Sequence, residues 1–250
     1  LDIFTTLNNH KENWLQKFTH KFKLLYINIC SIYKKINDIK CLIQENNYKI
    51  ICFAETWLNE YFTNDELLHY FPDFNLHRID RVSNRGGGLL ILYCKSIDVT
   101  IENSIITPNL EYLHVSIIYL TKRKPLQLVL IYRPPNSPQL SAKNDIENLL
   151  SNINYNNYPM IILGDFNIDY KKNKRNVISN LISSYGFKQY PLGYTRVNEN
   201  TKTEIDWLCT NTMASKLVSD VKNTDIELSD HNGIEFNLKM VPNKTKVSYR

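Results

Sequence analysis

The sequence predicts an α+β fold built from two mixed β-sheets packed face to face, with helices on the outer faces. Three features lead there. Short β-rich segments separated by turns run through most of the chain. Stretches of helical periodicity lie between some of these segments but not between all of them. Several neighbouring strands are joined by connections too short to hold a crossover helix, so antiparallel pairs must be common and a doubly wound parallel sheet is disfavoured.

In chain order, the predicted strands are FKLLYINI from Phe22, KIICFA from Lys49, FNLHRI from Phe74, GLLILYC from Gly88 and YLHVSIIYL from Tyr112. They continue with LQLVLIY from Leu126, PMIILGDF from Pro159, EIDWLCT from Glu204 and GIEFNLKM from Gly233. Helical periodicity recurs around Lys34 to Asn47, where Ile36, Ile39 and Ile43 form one stripe, around Ser141 to Ile153, and around Lys174 to Tyr185. The links from Ile79 to Gly87 and from Leu120 to Leu126 are among the short ones, and two packed sheets bury all these strands. Residues 21–240 are read as one domain, between a polar segment at 1–20 and a polar tail or linker at 241–250. The opening at Leu1 and the polar ending VPNKTKVSYR suggest excision from a longer polypeptide.

Composition narrows the class of function without naming it. Hydrophobic residues at 43% and charged residues at 22% are ordinary for a folded domain and exclude a low-complexity chain. A formal charge of +5 is compatible with a polyanionic partner but too small to demonstrate one. The five cysteines are scattered with no CxxC pair, which supports neither a disulfide framework nor a zinc site and fits a reducing compartment. No apolar run is long enough to cross a bilayer, and the start lacks the order of a secretory signal, so an intracellular location is expected.

The informative residues are polar ones that interrupt or end the strands, where scaffolds carry their chemistry. Asn28 inside LLYINIC reads first as a strand amide satisfying backbone groups, and otherwise as part of a polar site at the strand end. Glu55, directly after KIICFA, is a solvated strand end or a hard-oxygen ligand for Mg²⁺. Tyr132 and Arg133 are held where LVLIY runs into two prolines, so the phenol serves as a phosphate contact or as an ordinary strand aromatic. In MIILGDFNID, Gly164 ends a buried strand and gives Asp165 and Asn167 a turn on which both side chains can point to one spot; a plain Asx turn is the other reading. Asp206 in EIDWL needs a partner if buried, and His231 in SDHN, beside Asp230, is the natural one.

Taken in order, YINIC, AETWL, RGGGLLILY, IYRPP, GDFNID, EID and SDH resemble the endonuclease/exonuclease/phosphatase superfamily, which includes deoxyribonuclease I and the apurinic/apyrimidinic endonucleases. The resemblance runs from about Leu24 to Leu238. AETWL, the RGGG loop and YRPP look most like the endonuclease domains that precede reverse transcriptase in non-LTR, LINE-type retrotransposons. This resemblance implies a four-layer αββα sandwich. It also implies a DNA-nicking phosphodiesterase that uses Mg²⁺, with Mn²⁺ able to substitute. Carried onto this chain, it makes Glu55 the principal metal ligand, with Asn28 and Asp230 near the ion or its waters. Asp165 and Asn167 would hold the attacking water and the phosphate, Tyr132 would contact the phosphate, and Asp206 would orient His231.

Thr195 and Arg196 look similar to the DNA-contact loop of relatives, and Arg85 and Arg133 are further expected DNA contacts. Other basic residues placed to track the backbone are Arg78, Arg81, Lys171, Lys172, Lys174 and Arg175; a solvated charged face explains the lysines as well. Two departures stand out. Cys30 and Ser31 follow Asn28 where some relatives carry an acidic residue, which leaves one metal or two open, and Thr203 replaces the serine of a common SxID segment.

The expected partners are double-stranded DNA, a reverse transcriptase domain following in the parent polypeptide, and element RNA, with action on chromosomal DNA in the nucleus. The alternatives are a phosphatase or phosphodiesterase of the same fold with a non-DNA substrate, and a catalytically decayed nucleic-acid-binding domain.

Overall fold

Residues 20–81, 86–118 and 124–240 are described in a computed structural model. The first half of the chain forms β1 (His20–Asn28), α1 (Ile36–Asn46), β2 (Tyr48–Ala54), α2 (Asn64–Tyr70), β3 (Phe74–Ile79), β4 (Leu89–Cys94), β5 (Asp98–Ile106), β6 (Glu111–Ile118) and β7 (Leu126–Tyr132). The second half forms α3 (Gln139–Asn152), β8 (Met160–Asp165), α4 (Val177–Ser184), β9 (Lys188–Gln189), β10 (Arg196–Val197), β11 (Lys202–Thr203), β12 (Asp206–Thr210), β13 (Val218–Thr224) and β14 (Gly233–Met240).

Two six-stranded mixed sheets result, in the orders β13-β14-β1-β2-β4-β3 and β5-β6-β7-β8-β12-β9. Each is antiparallel except for a central pair. β1 runs parallel to β2 and β7 runs parallel to β8, and the helices α1 and α3 supply the crossovers that a parallel pair requires. The short links read from the sequence close antiparallel pairs, β3 with β4 and β6 with β7.

Alternation along the strands builds the layers. Leu24 and Tyr26 of β1, and Leu128 and Leu130 of β7, enter the core between the sheets, whereas Leu25 and Ile27 meet α1 and α2 and Val129 and Ile131 meet α3 and α4. Central strands are therefore apolar on both faces, which is why they read as unbroken hydrophobic runs. The stripe Ile36, Ile39 and Ile43 is the buried face of α1. The four-layer αββα sandwich is thereby realised.

The elements that periodicity did not reveal lie mostly at the edges. β5 has eight of its nine residues exposed, and β13 (VSDVKNT) is largely polar, so neither carries an alternating apolar signal. Helix α2 is short but has a capping box, in which the Thr63 hydroxyl accepts from Glu66 N at 3.2 Å and Glu66 Oε2 accepts from Thr63 N at 2.7 Å. Among the described residues no helix is long and apolar enough to cross a membrane.

Gly164 lies within β8 rather than ending it, at φ 151°. A Cβ there would stand 1.9 Å from the carbonyl oxygen of Ile131 on the parallel neighbour. Gly164→Ala is expected to destabilise the domain by about 4 kcal/mol or more, because only backbone movement in the central pair relieves that clash. Equilibrium urea unfolding checks this, and an unchanged midpoint would show that the pair yields easily.

Candidate functional site

Both parallel pairs end at the same rim of the sandwich. β1 closes on Asn28 and β2 leads into Glu55 in one sheet; β7 closes on Tyr132 and β8 on Asp165 in the other. The antiparallel neighbours begin there: Asp206 opens β12 directly opposite Asp165, and His231 precedes β14. Carboxyl ends of parallel strands thus meet amino ends of their partners, and polar residues that stop the apolar runs collect at one place.

The Asn28 carboxamide joins the two sheets. Its Nδ2 donates to Glu55 Oε1 at 3.0 Å and to Asp165 Oδ2 at 2.9 Å. Asp165 also accepts from Asn167 N at 2.8 Å and Asn167 Nδ2 at 3.1 Å. Cys30, Ser31, Glu55, Trp57 and Asn167 all have positive φ, so the chain leaves these strands through sharp left-handed steps that turn side chains toward the rim.

Glu55 is bracketed further. Trp57 Nε1 donates to its Oε2 at 3.1 Å, and the Tyr132 hydroxyl bonds to it as well. Burial, then the charges of Glu55 and Asp165, push the Tyr132 phenol far above its ordinary range, so it stays protonated and donates. Behind this bracket, Arg81 pairs with the fully buried carboxylate of Glu111, whose Oε2 accepts from Gly88 N at 2.7 Å. Trp57 N donates to Gly87 O at 3.0 Å, which ties the glycine loop to the Glu55 turn. Left-handed φ at Gly87 and Gly88, and the near contact a Cβ would make with Glu111 or Thr56, explain glycine at both positions.

Asp206 and His231 form the second half of the site. His231 Nδ1 donates to Asp206 Oδ2 at 2.8 Å, and the Tyr26 hydroxyl donates to Asp206 Oδ1 at 2.9 Å. Burial alone would lower the His231 pKa, but the charge and hydrogen bond of Asp206, with Asp165 and Asp230 adding, outweigh it and hold the imidazole at about 9. Burial, and the charge of Asp206 after it, raise Asp165 to about 8, against the lowering effects of His231, Asn167 and Asn28. Asp165, Asp206 and Asp230 thus surround the His231 imidazole. Donor atoms of Asp165, Asp206 and His231 lie within 4.8 Å of one another, a buried group able to hold a metal ion.

The profile of the endonuclease/exonuclease/phosphatase family matches residues 26–231. The chain belongs to this family. No curated protein sequence matches it. Among solved structures, it is similar to the endonuclease domain of TRAS1, a telomere-specific non-LTR retrotransposon, at TM-score 0.70 and 16% identity over 88% of this chain and 99% of that one. An AP endonuclease from Archaeoglobus fulgidus aligns at TM-score 0.66 and 16% identity, covering 87% and 99%. The 3′ phosphatase NExo from Neisseria, bound to product DNA hairpin, aligns at TM-score 0.64 and 13% identity, covering 87% and 99%.

On this family scaffold, Asn28, Glu55, Tyr132, Asp165, Asn167, Asp206 and His231 are joined by hydrogen bonds or direct neighbours into one cluster. Asp230 sits at its edge, held by Arg196 Nε at 2.7 Å. Arg133 departs from expectation. It is 3% exposed, with its guanidinium on the carbonyls of Phe166, Asn167 and Ser137, so it braces the GDFN turn instead of facing DNA. Thr195 is likewise buried, its hydroxyl accepting from Ile205 N and Asp206 N at 3.1 and 3.0 Å, which fixes the start of β12. Arg78 is paired with Asp80 at 3.2 Å, and Arg81 with Glu111, so neither is a free backbone contact. Arg85 lies outside the described residues.

Sequence reasoning missed Tyr26, Trp57 and Glu111 as parts of this site. Trp57 stands two residues after Glu55 in AETWL, a proximity that could have flagged it; Tyr26 and Glu111 read as ordinary strand residues.

Two consequences are measurable. Glu111→Ala leaves the Arg81 cation without its buried partner and is expected to cost about 3 kcal/mol in denaturant unfolding; a loss under 1 kcal/mol would make the pair dispensable. Asp206→Asn removes the anion that holds the His231 proton, so in metal-free protein the imidazole pKa should fall from about 9 to below 6.5. Because the folded pKa is raised, the stability it contributes is complete below pH 6.5 and is lost as pH rises through about 9. Histidine NMR titration of wild type and variant decides the point, and equal midpoints would refute it.

Proposed function

We propose that the chain is a Mg²⁺-dependent DNA endonuclease that nicks target DNA by phosphodiester hydrolysis and leaves a 3′ hydroxyl. The observation that carries this reading is the Asn28 amide spanning Glu55 and Asp165 beside the Asp206–His231 pair. A phosphodiester resists attack because its own charge repels nucleophiles, so a catalyst must neutralise that charge and place water in line with the leaving oxygen.

The donor set suits a hard divalent cation: carboxylate and amide oxygens crowd a rim where burial, and the charge of Asp206 after it, hold Asp165 up to about 8. Glu55, Asn28 and Asp230 are the residues that would hold Mg²⁺, or Mn²⁺ in its place. When bound, the ion supplies charge neutralisation at the phosphate. Asp165 and Asn167 hold the attacking water and a phosphate oxygen, with Asp165 the proposed proton acceptor. His231, cationic through Asp206, offers a charged donor to the developing negative charge, and Tyr132 offers a neutral one. Arg196, part-exposed beside Asp230, is the basic residue best placed to meet the DNA backbone.

The AETWL, RGGG and YRPP segments and the structural likeness to a retrotransposon endonuclease domain support a place in a non-LTR element. There the nick's 3′ hydroxyl primes reverse transcription of element RNA by a polymerase domain of the parent polypeptide, in the nucleus. Likeness to a 3′ phosphatase favours a second reading, hydrolysis of a phosphomonoester on the same scaffold.

One assay separates them. Supercoiled plasmid with Mg²⁺ should become open-circular, with polymerase-extendable ends, and Glu55→Ala or His231→Ala should each slow this at least about 100-fold. Wild-type nicking by both variants would refute the site. Phosphate release from small phosphomonoesters without plasmid relaxation would replace the endonuclease by the phosphatase.

A further inference from the structure

Cys30 occupies an unusual place at the rim. The chain turns left-handed at Cys30 (φ 45°) and Ser31 (φ 80°), and Cys30 N donates to Asn28 Oδ1 at 3.2 Å. The thiol comes to rest 3.4 Å from Asn28 Oδ1 and 3.8 Å from Asp230 Oδ1. Its sulfur, an Asp230 carboxylate oxygen and an imidazole nitrogen of His231 lie within 4.8 Å of one another. Because Asp206 engages His231 Nδ1, Nε2 is the nitrogen left for a ligand.

We propose that Cys30, Asp230 and His231 form a binding site for a thiophilic divalent cation, Zn²⁺, whose occupation shuts the centre down; this rests on the reading of that centre given above. The donor chemistry decides the ion. Mg²⁺ takes oxygen ligands in an octahedron, whereas one thiolate, one imidazole and one carboxylate are a zinc set with a fourth position left for water. Ligand atoms around a tetrahedral zinc stand about 3.5 Å apart, so modest side-chain rotations close the observed spacing. Cys30 and Asp230 are both partly exposed, which gives an ion from solution access.

The balance is simple. The thiol proton leaves to solvent as the Zn–S bond forms, the imidazole binds through Nε2 after losing its proton there, the carboxylate binds as it stands, and nothing is oxidised or reduced. Without metal the thiol keeps its proton, since burial and then the charges of Glu55 and Asp230 push it up to about 12, so it is no nucleophile of its own. An ion so held removes Asp230 and His231 from the rim together. Inhibition by Zn²⁺ should therefore not be overcome by small excesses of Mg²⁺.

The test titrates the whole metal-free chain with Co²⁺, a spectroscopic stand-in for Zn²⁺. Wild type should develop a near-ultraviolet sulfur-to-cobalt absorption that Zn²⁺ abolishes, and Cys30→Ser, with circular dichroism unchanged, should lack it. The four other cysteines remain in that variant as an internal control. In Mg²⁺-supported nicking, normalised to each protein's zinc-free rate, Cys30→Ser should raise the half-inhibiting Zn²⁺ concentration at least about tenfold. An identical band in the variant, or none in wild type, overturns the proposal, as does unchanged zinc inhibition. The optical result stands whether or not the protein nicks DNA, so failure of the endonuclease reading and failure of this one are distinguishable.

Discussion

The site exists because two parallel strand pairs, one in each sheet, end at the same rim and are tied there by a single carboxamide. Asn28 Nδ2 donates to a carboxylate from each sheet, Glu55 and Asp165. Without a donor between them, two carboxyl groups brought out of water would lose hydrogen bonds and, once both are charged, repel each other. The remaining carboxylate contacts follow the same logic: Trp57 and Tyr132 on Glu55, Asn167 on Asp165, Tyr26 on Asp206. These donors are neutral. They fix the geometry without consuming the negative charge, which leaves the rim able to attract a cation and to keep His231 protonated.

Three arginines that look available in the sequence are spent elsewhere. Arg81 secures Glu111, Arg133 braces the GDFN turn and Arg78 pairs with Asp80. Each such pair or brace anchors a loop that carries a rim residue or flanks one, and each is held away from solvent, where substitution leaves a partner unsatisfied. The formal charge of +5 therefore says little about the surface presented beside His231, where Arg196 is the guanidinium at the edge of the cluster.

The nine strands read from the sequence are all present: eight are inner strands that announce themselves as apolar runs, and β3, at a sheet edge, keeps an apolar-polar alternation. The edge strands β5 and β13 escaped notice because one face or both meet water and no alternation is imposed on them. At the site, Asn28, Glu55, Asp165, Asp206 and His231 were visible as polar interruptions at strand ends. Thr195 and Arg133 were misjudged as DNA contacts because a hydroxyl or guanidinium has the same sequence signature whether it braces backbone or faces solvent. Tyr26 and Glu111 were passed over for the converse reason: alternation fixes the face a strand side chain takes, but the polar partner it meets there comes from the opposite sheet or a loop.

By itself the sequence determined the sandwich, the helical cover and the set of polar residues at strand ends, since hydrophobic periodicity and turn chemistry are local and leave a local record. Only the tertiary structure decided that Asn28 reaches both sheets, that Asp206 faces His231 with Tyr26 behind it, and that Cys30 turns toward Asp230. Those contacts join residues 25 to 200 positions apart in the chain. Their geometry is set by how two twisted sheets stack and by left-handed backbone steps at Cys30, Glu55 and Asn167, neither of which has a counterpart in residue spacing along the chain.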